Sequence, residues 1–248
     1  MPVASVLVTG TSGGLGSSTL ASAVARGIGE VLHPSVLIDL DAQGGGLDVT
    51  CGIEHVDGLR WADLAAIQGP VPPQRLVDAL PGPPSCKVLS AGVARPGSSL
   101  SGHRSATAHS DVLASIGASD RVLVADLPRH RVAVESSADP WAHLRPTVWV
   151  LLVGTRTRGL ADLDSFLHGL ESSATPGRET LVAVTGGPAP VAGLEEAIAR
   201  HTGIPVIASV PWRTSVTRSA ERGDWPRGDA HTAVVRAICR RLPEARAA

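Results

Sequence analysis

The segment Thr9-Gly10-Thr11-Ser12-Gly13-Gly14-Leu15-Gly16-Ser17-Ser18-Thr19 limits this chain more than any other stretch. Ahead of it, Val3 to Val8 is a short apolar run, too short for a membrane span and of the length of a buried strand. Behind it, Leu20, Val24 and Ile28 recur at helical spacing, with Ala23 and Gly27 between them. A glycine-rich turn therefore joins a buried strand to a helix. Glycines let backbone N–H groups converge on one point, and the start of a helix adds a favourable dipole. Such a turn suits an anion. The hydroxyls of Ser17, Ser18 and Thr19 stand where a phosphate or its magnesium would lie.

Two phosphate-binding patterns overlap here. A P-loop reads G-x-x-x-x-G-K-[ST], with its lysine on the β/γ-phosphates and its hydroxyl on magnesium. Gly16 fills the second glycine and Ser18 the hydroxyl, but Ser17 stands at the lysine and Thr11 at the first glycine. Thr9-Gly10, Gly14 and Gly16 also match T-G-x-x-x-G-x-G, the dinucleotide loop of short-chain dehydrogenases. Those enzymes use a tyrosine followed four residues later by a lysine. This chain has no tyrosine, and Lys87 is its one lysine. Dehydrogenase catalysis of that type is excluded, while dinucleotide binding stays open. A glycine-rich turn that holds no ligand is the third alternative.

The 248 residues predict one α/β domain, or a domain with extensions, with length enough for a sizeable core. A net charge of -1 offers no large nucleic-acid footprint. Of the 22 basic residues one is lysine, which leaves 21 arginines, a bias that looks like high-GC coding. Cys51, Cys86 and Cys239 form no C-x-x-C and read as cytosolic, structural thiols. No signal peptide is evident. The longest apolar run, Val148 to Val153, is far too short to span a membrane.

Six further strands are predicted, over 36–38, 86–90, 121–126, 147–153, 181–185 and 203–211. The strand over 36–38 ends in Asp39-Leu40-Asp41, and Gly44 to Gly46 suit a switch loop. Carboxylates at that end of a strand, beside a P-loop, would face magnesium and an attacking water. Asp39 could equally cap a loop or hold the ribose hydroxyls of a dinucleotide. The strand over 121–126 likewise ends in Asp126. Pro70 to Pro73 and Pro81 to Pro84 end short helices, and 95–105 is Gly/Ser-rich and reads as a mobile loop. Helices are predicted over 111–116, over 160–170 with Leu160, Leu163, Leu167 and Leu170 on one face, and over 231–242. The last turns Val234, Val235, Ile238 and Leu242 inward and Arg236, Arg240 and Arg241 outward.

In order and spacing these landmarks resemble the ParA/MinD superfamily of deviant Walker ATPases. The loop fits x-x-G-G-x-G-x-[ST]-T, and Asp39-x-Asp41, Leu47-Asp48 and Gly52 follow without a gap. Asp126-Leu127-Pro128 resembles the Walker B segment, and Val210-Pro211-Trp212-Arg213 the segment that wraps adenine. Gly58 to Leu64 and Arg75 to Leu80 resemble the CpaE/TadZ branch, which includes septum-site-determining-like proteins. The resemblance implies a doubly wound, mostly parallel sheet flanked by helices, with residues 1–248 as a single domain that includes the helix over about 230–242. Any receiver-like domain that such chains carry ahead of the ATPase is expected to be absent or on another chain. ATP or ADP with Mg2+ is implied, cradled by Gly13, Gly14, Leu15, Gly16, Ser17, Ser18 and Thr19 and by Pro211, Trp212 and Arg213. Magnesium would fall to Ser18, Asp39 and Asp126, partly through water, and water activation to Asp41. The implied partners are a second copy of the chain and pilus/secretion or division proteins. The implied location is the cytoplasm, with recruitment to a pole, a septum or membrane-bound machinery. Neither nucleic-acid binding nor peripheral membrane contact is expected, since the chain has no basic stripe and its last helix reads as core packing.

The resemblance also implies two lysines that are missing. One belongs at Ser17. The other, which reaches a partner's phosphates across a dimer, belongs at Ser12. Phosphoryl transfer depends on neutralising charge at the β/γ oxygens. Hydrolysis is therefore expected to be very slow or absent, with Arg129, Arg131 and Arg213 as the candidates to supply charge. The readings carried forward are a positioning protein with little or no hydrolysis, a slow but genuine ATPase, and a Rossmann-like dinucleotide binder. A pseudo-ATPase whose loop is only a turn is the fourth.

Overall fold

In the computed structural model, residues 4–40, 46–65, 67–91, 103–129, 147–171, 179–222, 224–225 and 228–242 are described. All seven sequence-predicted strands are present: β1 (Ser5–Gly10), β2 (Ser35–Asp39), β3 (Cys86–Leu89), β4 (Val122–Asp126), β5 (Val148–Gly154), β6 (Glu179–Thr185) and β7 (Val206–Val210). They form one sheet in the order β3-β2-β4-β1-β5-β6-β7, and every pairing is parallel. A parallel sheet is covered on both faces, which is why these segments read as unbroken apolar runs.

Alternation along each strand divides the core in two. Leu7, Leu123, Ala125, Trp149, Leu151, Val153, Val182 and Val184 face one layer. Val6, Val8, Val122, Val124, Val148, Val150, Leu152, Leu181 and Ala183 face the other. Helices α1 (Ser17–Val31) and α9 (Asp229–Cys239) cover the second layer, through Leu20, Val24 and Ile28 of α1 and Val234, Val235 and Ile238 of α9. Gly27 lets them meet closely: a Cβ there would lie 2.6 Å from a Val235 methyl. Short helices α2 (Leu47–Cys51), α3 (Trp61–Leu64) and α4 (Pro73–Asp78) precede β3. Helices α5 (His103–Gly117), α6 (Thr157–Glu171) and α7 (Leu194–Thr202) cover the first layer, and α8 (Thr214–Glu221) follows β7.

Three expectations change. Helix α5 begins at His103, so 103–105 are helical rather than part of a mobile loop; 95–102 lie outside the described residues. In α6 the inward face is built by Leu163 and Phe166, with Leu167 beside them, while Leu160 is exposed. The side chain of Leu170 lies outside the described residues. Helix α7 has no counterpart among the sequence-predicted elements. The C-terminal helix agrees with expectation: Val234, Val235, Ile238 and Leu242 are buried, Arg236 and Arg240 are exposed, and Arg241 pairs with Glu179 at 2.7 Å.

The strand order fixes where a ligand can sit. From β1 the chain runs to β2 and β3 on one side, returns through β4 beside β1, and then crosses to β5 on the other side. The carboxyl end of β1 is thus a topological switch point, where open α/β sheets bind ligands. The glycine-rich loop leaves the sheet there.

Candidate functional site

Thr11 ties the loop to the sheet: its N–H and its hydroxyl both donate to the Leu152 carbonyl, at 2.9 and 3.2 Å. Gly14 and Gly16 then take positive φ, 75° and 86°. Gly16 caps α1 in the left-handed conformation, where a side chain would be strained. No side chain caps this helix and its first turn holds no acidic residue. A Cβ at Gly13, Gly14 or Gly16 would meet nothing within 4 Å, so the loop's outer surface is open. The loop therefore presents open backbone at the start of α1.

Beside it lies a cavity of about 350 Å3. Its walls join the loop, through Gly14, Leu15, Gly16 and Thr19, to Pro211, Trp212 and Arg213 after β7. The two segments singled out in sequence as far apart as Gly14 and Arg213 thus share one space. Gly13, Ser17 and Ser18 belong to the same loop and helix start but are not among the lining residues. Trp212 is 55% exposed, and its backbone N–H donates to the Gly187 carbonyl at 2.8 Å. Among the described lining residues Arg213 is the one side chain that is always charged.

Asp39 and Asp126 are brought together. They are Cα partners at the carboxyl ends of adjacent strands β2 and β4, and both are buried. Asp126 also pairs with Val8 of β1, two residues before the loop. Asp39 does more than face outward: its carboxylate accepts from Leu47 N–H at 3.1 Å and so closes the segment ahead of α2. Its backbone carbonyl accepts from the Trp61 indole at 2.7 Å, and Trp61 in turn stacks on His109 with ring centroids 4.4 Å apart. Among the described residues no group of three or more His, Cys, Asp or Glu is arranged to hold a metal ion. Of the residues expected to hold magnesium, Asp39 and Asp126 are strand neighbours, and Ser18 lies in the first turn of α1. Asp41, His130 and Arg131 lie outside the described residues, and Arg129 is exposed.

Lys87 sits on β3 at the sheet edge, with β2 and β4 between it and β1, and donates to the Gly82 carbonyl at 3.0 Å. It does not stand in for a loop lysine. Burial pushes the thiols of Cys51 and Cys86 up to about 12, which makes them unreactive packing groups.

His231 is a lining residue that the sequence reading took only as the start of a helix. It is buried, lines the cavity, and leaves Nδ1 without a hydrogen-bond partner. Burial pushes its imidazole below the ordinary value of 6.5. The charged groups around it are Arg213 across the cavity, Arg26 and Glu30 on α1, and Asp229 in its own turn. The linkage has a definite sign. The folded state resists a proton that the unfolded chain accepts, so stability is full above about pH 6.5 and falls as the pH drops below it. The slope reaches at most about 1.4 kcal/mol per pH unit in that window. Denaturant titrations of the wild type and His231→Leu between pH 7.5 and 5 should show this loss in the wild type alone.

No protein-family model matches the chain. It is 31% identical over 220 residues to two proteins of Mycobacterium tuberculosis strains, the uncharacterized proteins Rv3660c and MT3760. The match takes in 88% of this chain and 57% of each relative, so the chain spans little more than half their length. Among solved structures, the cell division ATPase MinD of Pyrococcus furiosus superposes with a TM-score of 0.68 at 16% identity, over 95% of this chain and 98% of MinD. A ParA family ATPase of Chlorobium tepidum gives 0.66 at 13% identity, over 95% and 92%. The cobyrinic acid a,c-diamide synthase of Mycobacterium smegmatis, solved with ADP and magnesium, gives 0.63 at 16% identity, over 98% of both chains. The chain has the fold of the ParA/MinD-type P-loop NTPases.

Proposed function

We propose that this is a nucleotide-binding positioning protein of the ParA/MinD superfamily, of the CpaE/TadZ-like branch, with little or no ATP hydrolysis. One observation carries the reading: an open, lysine-free P-loop shares a cavity with the Pro211-Trp212-Arg213 segment. The backbone from Gly13 to Thr19 would hold the phosphates of ATP or ADP, with Ser17, Ser18 and Thr19 adding hydroxyls. Pro211, Trp212 and Arg213 would enclose the base. Magnesium, if bound, supplies charge neutralisation at the phosphates, and Ser18, Asp39 and Asp126 would orient its waters. Asp41 would orient a water in whatever hydrolysis remains.

With serine at positions 12 and 17, binding outlasts chemistry, and the output is an assembly. A second copy of the chain is the first partner, and pilus/secretion or division proteins the next. That a MinD of Aquifex aeolicus is solved in complex with MinC supports this kind of output for the fold. Among the described residues no helix is long and apolar enough to cross a membrane. Recruitment to a pole, septum or membrane machinery would come through those partners.

Light scattering with and without Mg-ATP tests the reading. A doubling of mass on ATP, with phosphate release at or near background, is the expected result. A protein that binds ATP yet stays monomeric and turns it over steadily is an enzyme, and the positioning role is then wrong.

A further inference from the structure

The cavity has two kinds of wall. One is the backbone of the glycine-rich loop. The other is mostly apolar: Leu20, Leu152, Val210, Pro211, Trp212 and Val216. An apolar wall next to a glycine-rich loop fits a nucleoside better than a bare phosphate. Its polar side chains beyond the loop are few, and His231 is the most buried of those that titrate.

His231 occupies an inward position of α9, in line with Val234, Val235 and Ile238. An apolar residue there would bury without cost, whereas the imidazole leaves Nδ1 unsatisfied. Buried polar atoms without partners are rare enough to need an explanation. The residue also borders the groove between α1 and α9, where Ala23 stands one turn after Thr19. His231 thus lines both that groove and the cavity beside the loop. Gly228 packs directly against it: a Cβ there would come within 3.3 Å of Nδ1. Nδ1, fully buried beside Gly228, is closed to a ligand, which leaves Nε2 as the ring nitrogen that can meet one, as donor or acceptor by tautomer.

We propose that His231 is the specificity-determining residue of this cavity, reading the edge of a nucleotide base. The inference rests on the nucleotide-binding reading and goes further by assigning base selection to a residue of the last helix. The base slides along the apolar wall, and His231 supplies the hydrogen bond that a mismatched ring cannot return. Sites built around such a bond discriminate because the wrong ligand leaves their buried polar group unpaired.

The test is a calorimetric titration of the full chain and of His231→Leu with ATP, GTP, CTP and inorganic tripolyphosphate, in magnesium. The wild type should separate the three nucleotides by about tenfold or more. His231→Leu should flatten that preference and leave tripolyphosphate affinity unchanged. Retention of the wild-type preference by His231→Leu overturns the inference and leaves nucleotide binding standing. So does equal wild-type affinity for all three nucleotides. Loss of tripolyphosphate along with the nucleotides assigns His231 a structural role and overturns it too. A wild type that binds no nucleotide removes the functional reading itself, and this inference with it. Should His231→Leu not fold, the imidazole 15N resonances of wild-type His231 decide. A shift with ATP but not with tripolyphosphate supports base reading, and no shift with either overturns it.

Discussion

Replacing Ser17 with lysine should raise the affinity for Mg-ATP by about ten- to a hundredfold, the worth of a charge-assisted hydrogen bond. Ser17 is the first residue of α1, half-buried, with no acidic neighbour in that turn. A lysine there would meet phosphate oxygens already drawn to the loop amides. Without ligand the same lysine is misplaced. A cation at a helix N-terminus opposes the macrodipole and should cost about 0.3–1 kcal/mol of stability. Ser17→Lys should therefore melt slightly earlier than the wild type alone and later than it in saturating Mg-ATP. Phosphate release should rise by at least about tenfold if charge at the β/γ oxygens is what the chain lacks. Calorimetry and a phosphate assay on the two proteins check both halves. Unchanged affinity would mean that phosphates do not sit on this loop.

The second large effect is at Trp61. This indole is 2% exposed, stacks on His109, and donates to the Asp39 carbonyl at 2.7 Å. It links α3 to α5 and holds the carboxyl end of β2, where Asp39 also receives the Leu47 N–H. Trp61→Ala removes a large core side chain and should cost about 3–5 kcal/mol in urea unfolding. Trp61→Phe keeps most of the volume and loses mainly the indole bond, so its cost should be nearer 1 kcal/mol. In the proposed site Asp39 orients magnesium-bound water. Trp61→Phe should then weaken Mg-ATP more than magnesium-free ATP. Equal weakening of both would detach Trp61 from that corner and leave it a purely packing residue.

The strands were legible because a parallel sheet buries both faces, so Val36 to Ile38 or Val148 to Val153 carry an unbroken apolar signature. The loop was legible because Gly14 and Gly16 mark backbone that other residues rarely adopt. Helix α7 escaped notice because it is short and its apolar stripe is confined to Leu194, Ala197 and Ile198. Its ends were marked nonetheless, by Gly193 and Gly203 in the left-handed conformation, Glu195 and Glu196 in the first turn, and Arg200 and His201 in the last. The early turns of α5 are polar and read as loop. In α6 the period could not decide between Leu160 and Phe166, because the neighbouring strand sets which edge of the stripe turns inward. Two features of the site depend on tertiary contacts that no local pattern records. The Asp39 carboxylate is met by a backbone N–H eight residues on. His231 is buried only because α9 packs on α1 beneath the cavity.

The central claim is that the lysine-free loop still binds a nucleotide. Equilibrium titration of the purified chain with ATP and ADP, with and without magnesium, tests it most directly. The account predicts saturable binding at one site per chain, tighter with magnesium, and reduced when Gly16 is replaced by valine. Absence of binding at millimolar ATP and ADP would contradict it, leave the loop as a turn, and move the search for this fold's output to protein partners alone.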